Sequence, residues 1–156
     1  MTETPQAIAV YVDADACPVK AEIYRVAERH RVRVFMVSNS FLAVPRDPLI
    51  ERVVVGSGFD AADDWIAERA GPRSVVVTGD ILLADRCLKA GAAVIGPNGR
   101  PFTAASIGAA VATRAIMADL RAGMDGPGGG PAPFARADRS RFLSALDEAL
   151  VRLKRV

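Results

Sequence analysis

The feature that most constrains this chain is a series of short Val- and Ile-rich runs, at residues 8–12, 32–37, 53–55, 75–78 and 93–95, most of them separated by helix-like stretches. The runs are continuously apolar and do not alternate with polar residues, as strands buried on both faces do. Strands of that kind alternating with helices describe a mainly parallel α/β sheet. A chain of 156 residues can bury roughly two-thirds of its unfolded surface, enough to cover such a sheet on both sides. One domain over residues 1–156 is therefore expected. With 51% hydrophobic and 24% charged residues, a disordered chain is excluded.

Helix punctuation fits between the runs. Pro18 suits the first position of a first helix, whose apolar stripe is Ile23, Val26 and Ala27. Asp60 is placed to cap a helix over residues 60–70 that Gly71-Pro72 ends, and Asp80 to cap another that stops at Gly91. Asn98-Gly99 signals a tight turn or short hairpin. An Ala-rich helix is expected over residues 103–122, then a Gly/Pro-rich loop over 123–135. Phe142, Leu146, Ala149, Leu150 and Leu153 recur at helical spacing, so a helix at about 138–154 should dock onto the domain or a partner.

Charge and cysteine usage bound the setting. The net charge is only +2, from 20 Lys+Arg against 18 Asp+Glu, and nearly all the cations are arginines. That mild balance does not demand nucleic acid as a partner, and it is compatible with a homodimer. Cys17 and Cys87 lie far apart, with no CxxC pair to suggest a zinc knuckle or a disulfide framework. No basic segment precedes the first apolar run and no stretch reaches the ~20 apolar residues of a membrane span. A cytoplasmic location is expected.

The segment VYVDADACPVK then poses a problem, because it runs a strand directly into two carboxylates one residue apart. In an open parallel sheet the carboxyl ends of the strands face one crevice, where ligands bind. The acids gather at those ends: Asp13 and Asp15 after the first run, Asp60, Asp63 and Asp64 after the third, Asp80 and Asp85 after the fourth. Like charges crowded in a low-dielectric cleft are costly unless protonated or bridged by a cation. A hard divalent ion with oxygen ligands, Mg²⁺ or Mn²⁺, is the natural bridge.

Structural roles compete for several of these residues. Asp60 and Asp80 are good N-caps, Asp63 and Asp64 suit a first helical turn, and Asp85 can pair with Lys89 four residues on. Asp13 and Asp15 have no comparable role, apart from a bond that Asp15 could make to the backbone before Pro18. Cys17 lacks the arginine six residues later that a cysteine-phosphatase loop would carry, Ile23 standing there instead. The sole histidine, His30, lies between two arginines at a helix end, so Ser/Cys-His triads are disfavoured. Asn39 and Ser40 follow the second run and would line the crevice, although turn chemistry explains them too. Lys20, Arg100, Arg136, Arg139 and Arg141 are candidate phosphate contacts, with a solvated face as the competing role.

The segments VDADACPVK, FDAADDWIAERA, TGDILLADRCLKAGA, PNGR and DRSRFLSALD resemble the YaiI/YqxD family of bacterial proteins, a branch of the PIN-like superfamily. The resemblance runs from about residue 8 to 150. It implies a PIN-like three-layer α/β/α sandwich with a central, mainly parallel sheet. It also implies the metal-dependent ribonuclease chemistry common in that superfamily, with clustered carboxylates holding Mg²⁺ or Mn²⁺. Carried onto this sequence, the principal acids are Asp13 and Asp80, joined by Asp15, Asp60, Asp63 and Asp85. RNA or single-stranded nucleic acid is the implied partner, for which Lys20, Asn39, Ser40, Arg100 and Arg139 are the candidate contacts. A haloacid-dehalogenase-like phosphatase is the rival: Asp13-Ala14-Asp15, Ser38 and Gly79-Asp80 through Asp85 suit it. That pattern also wants a lysine, and none occurs between Ser38 and Asp80. A non-catalytic RNA-binding module is the third alternative.

Overall fold

A computed structural model describes residues 7–56, 58, 60–109, 112–113 and 134–155. Its centre is a six-stranded sheet of β1 (Ala9–Asp13), β2 (Arg33–Ser38), β3 (Ile50–Val54), β4 (Ser74–Val77), β5 (Ala93–Ile95) and β6 (Pro101–Phe102). The spatial order is β3-β2-β1-β4-β5-β6. The first five strands are parallel, and only β6 runs antiparallel to its neighbour β5. Helices α1 (Lys20–His30), α2 (Ala61–Arg69) and α3 (Ile81–Lys89) and a C-terminal helix (Arg136–Lys154) cover it. The mainly parallel sheet expected from the buried runs is what forms, within the three-layer α/β/α sandwich that the family resemblance implies.

The pleat divides each strand between two cores. On one face Val10, Val12, Val34, Met36, Val75 and Val77 pack with Ile23, Val26 and Ala27 of α1 and with Phe142, Leu146 and Leu150 of the C-terminal helix. On the other, Val37, Val76 and Val94 pack with Ala62 and Ile66 of α2 and Leu83, Ala84 and Cys87 of α3. The alternation fixes where Asp13 points. As the last residue of β1 it shares a pleat phase with Tyr11, which packs into the second core. There Tyr11 stacks on Phe35 of β2 with ring centroids 5.2 Å apart and meets the edge of Trp65 of α2 at 5.9 Å. Those aromatic contacts hold α2 against the β1 and β2 face.

Element boundaries depart from the sequence reading where burial is incomplete. The third strand begins at Ile50, three residues earlier than the apolar run, because β3 lies at the sheet's edge and exposes Glu51 and Arg52. Helix α1 begins at Lys20 and not at Pro18. Residues 14–16 form a 3-10 turn, and Pro18 with Val19 a further turn ahead of the helix. The Asn98-Gly99 turn closes the β5–β6 hairpin, with Gly99 N–H donating to the Gly96 carbonyl at 2.8 Å. The C-terminal helix starts at Arg136, where the Ala135 N–H donates to Asp138 Oδ2 at 2.9 Å. Of the helix expected over residues 103–122, residues 104–109 and 112–113 are helical. The remainder of it lies outside the described residues, as does loop 123–133. Among the described residues no helix is long and apolar enough to cross a membrane.

Candidate functional site

Strand order reverses between β1 and β4: the chain passes from β1 to β2 and β3 on one side, then returns to β4 on the other. At such a switch point the crossover connections diverge and leave a crevice beyond the carboxyl ends of the two strands. Asp13 ends β1, and Thr78 and Asp80 follow β4. The two sides are joined by Thr78, almost wholly buried. Its Oγ1 donates to Asp13 Oδ2 at 3.0 Å and accepts from the Asp80 N–H at 3.0 Å. In the sequence Thr78 reads only as the end of an apolar run. Its signal was a hydroxyl directly before Gly-Asp, where the sheet stops.

The electrostatics show which acids converge. Burial raises the proton affinity of Asp13 most; the Thr78 hydrogen bond works against that, and the charges of Asp80 and Asp15 push it further up. Asp63, on the first turn of α2, is raised to about 6, first by burial and then by Asp80, Asp13 and Asp60, with Arg86 acting in the opposite direction. Arg86 is itself engaged by Asp64 Oδ1 at 2.9 Å. Asp13, Asp63 and Asp80 thus share one field, with Asp15 and Asp60 beside it.

The other predicted residues are placed as follows. Asp80 caps α3, its Oδ1 accepting from the Leu82 and Leu83 N–H groups at 2.9 and 3.0 Å. Asp60 occupies the N-cap position of α2 without a side-chain cap bond. Asp15 is exposed, and its Oδ2 accepts from the Asn39 N–H at 2.9 Å, tying the turn after β2 to the acidic segment. The Ser40 carbonyl accepts from Ser38 Oγ at 2.6 Å. Asp85 pairs with Lys89 at 2.9 Å along α3, the helical pairing that its spacing allowed. Lys20 opens α1. Arg100 donates its backbone N–H to Asn98 Oδ1 at 3.0 Å in the hairpin.

Arg139 is committed to the fold. It donates to the Pro18 carbonyl at 2.8 Å and to Glu22 Oε1 at 3.2 Å, fastening the C-terminal helix to the start of α1. Arg141 donates to the Asn98 carbonyl at 3.2 Å and pairs with Asp138. His30 lies against Asp147 Oδ1 at 2.6 Å, between the end of α1 and the C-terminal helix. Burial raises the Cys17 thiol and pushes Cys87 up to about 11, so neither is a ready thiolate.

Oxygen-only donors that repel one another suit a hard divalent ion. Among the described residues no three His, Cys, Asp or Glu side chains are grouped to hold a metal. A divalent ion at this place would have to keep most of its waters and be gripped by one or two carboxylates, as Mg²⁺ commonly is. Among the described residues the hydrogen bonds to these two acids fall on Asp13 Oδ2 and Asp80 Oδ1, and the charges of both act on Asp63.

The sequence model of the uncharacterised bacterial YaiI/YqxD family matches residues 11–152. The chain belongs to that family. Among its YaiI/YqxD relatives is a UPF0178 protein of Sphingopyxis alaskensis, 73% identical over 146 residues that cover 94% of this chain and 95% of the relative. UPF0178 proteins of Bradyrhizobium diazoefficiens and Azorhizobium caulinodans are each 63% identical over 155 residues. Those alignments cover 99% of this chain, and 91% and 97% of the respective relatives. No solved structure matches this YaiI/YqxD chain.

Proposed function

We propose that this chain hydrolyses phosphodiester bonds in RNA or single-stranded nucleic acid, using Mg²⁺ or Mn²⁺ held at the β1–β4 crevice. One observation supports the reading: at the switch point the charges of Asp80 and Asp15 add to the cost of charging Asp13, and those of Asp80, Asp13 and Asp60 to that of charging Asp63, with Arg86 opposing the latter. When bound, the ion supplies Lewis-acid polarisation of a phosphoryl oxygen. The protein's part is placement. Thr78 fixes the Asp13 carboxylate through one of its oxygens, and the cap bonds of α3 fix Asp80. The sole histidine is held by Asp147 and both cysteines are buried with raised pKa, so the chain offers neither an imidazole base nor a thiolate at the crevice.

The phosphatase alternative loses its second-strand hydroxyl. Ser38 is buried and donates to the Ser40 carbonyl, so its hydroxyl is spent inside the fold. The test incubates labelled RNA, single-stranded DNA and a small aryl phosphomonoester with the protein in Mg²⁺, Mn²⁺ or EDTA. Cleavage of the RNA should require metal and fall at least about 100-fold in Asp13→Asn and in Asp80→Asn, the scale of losing several kcal/mol of transition-state stabilisation. Monoester turnover through a phospho-Asp13 would replace this reading with the phosphatase. Nucleic-acid binding without turnover, indifferent to EDTA, would leave the binding module.

A further inference from the structure

The turn tied to Asp15 leads into an exposed aromatic group. Phe41 is 71% exposed, and the Arg52 guanidinium of β3 lies over its ring, 4.2 Å from the centroid. Val54, two residues further along β3 and therefore on the same face as Arg52, is also exposed. Phe41, Arg52 and Val54 thus form a patch, and a patch, unlike a lone surface apolar residue, asks for an explanation. No carboxylate among the described residues pairs with Arg52 or with Arg46 on the 39–49 loop. With one ring face under the guanidinium, the exposure lies on the rest of the ring.

The patch lies on the first-core face, where Arg52 pairs with Met36, and so across the sheet's carboxyl edge from Asp13; Asp15 at that edge links the two. The carboxyl end of β2 lies beside that of β1, and Asn39 N–H is held on Asp15 Oδ2 at 2.9 Å. Phe41 is two residues beyond Asn39, at most about 7 Å of chain. An open aromatic face backed by an arginine without a carboxylate partner matches two properties of an unpaired nucleotide, a π-face and a phosphate. A protein partner would match the apolar part and leave the cations unanswered.

We infer that Phe41, with Arg52 behind its ring, is a stacking platform for one base of a single-stranded nucleic acid whose backbone passes the Asp13 crevice. The inference rests on the proposed hydrolytic reading for the identity of the polymer, and its test does not require hydrolysis. Binding is measured by fluorescence anisotropy in EDTA with a labelled single-stranded RNA and an abasic strand of equal length, for the wild-type chain, Phe41→Ala and Phe41→Trp. Removing the ring should weaken binding of the base-containing strand about tenfold or more, the range for one stacked base. Phe41→Trp should restore it, and the abasic strand should bind the wild type and Phe41→Ala alike.

Four results would overturn the platform: no binding by the wild type; binding unchanged in Phe41→Ala; equal losses for both strands; or a wild-type dimer that Phe41→Ala dissociates with base-dependent binding intact. Intact metal-dependent cleavage alongside any of these removes the platform alone. Base-dependent binding without cleavage by any metal removes the hydrolytic reading alone.

Discussion

Asp63 keeps its proton to about pH 6 in the folded chain, whereas an unfolded aspartate loses its own near 3.8. The folded state therefore binds the extra proton between those values, and the contribution, fully present below about pH 3.8, is lost as pH rises through 6. Asp63→Asn removes the charge that causes the loss. Urea midpoints measured from pH 4.5 to 7.5 should show the variant gaining on the wild type as pH rises, by a modest amount because solvent screens a half-exposed carboxyl. A gap that narrows with rising pH would refute the assigned repulsion. Asp13 and Asp15 were legible as unexplained carboxylates because nothing in their own segment pairs with them. The convergence of Asp63 on Asp13 was not separable from helix-dipole chemistry, since it depends on how the Tyr11, Phe35 and Trp65 rings seat α2.

Among the elements, the β5–β6 hairpin and the C-terminal helix are built against each other. Gly99 has φ +84°, and a Cβ there would lie 2.5 Å from Arg141 C and from Phe142 N. Both are backbone atoms of a helix and cannot swing aside. Gly99→Ala should destabilise by about 2–5 kcal/mol, combining left-handed strain with overpacking, as read from chemical denaturation. An effect under about 0.5 kcal/mol would mean the turn and helix are not seated so closely. The Asn-Gly pair announced the turn; its use as a helix seat was invisible, because it joins residues some forty positions apart. Buried strands were legible as Val runs, while edge strand β3 was misplaced by three residues because Glu51 and Arg52 break the run that marks a strand covered on both faces. Phe41 escaped notice for the complementary reason: sequence does not say which aromatic residues stay outside.

At the scale of the whole molecule, a weak metal site is also a stabilising ligand site. Mn²⁺ at ten times its dissociation constant should add about 1.4 kcal/mol, visible as a raised Tm that Asp13→Asn abolishes. Equal gains in both proteins would place the ion elsewhere. The division of the core carries a different consequence, one of timing. One face of the sheet is lined by residues between Val10 and Val77 and closed by Phe142, Leu146 and Leu150. At the ~5–20 residues per second of translation, the closing helix is made several seconds after the strands it covers. For that interval, among the described elements, α1 with Leu42 and Val44 is left to cover the valine-rich surface, which gives the final stretch of synthesis control over when this face becomes protected.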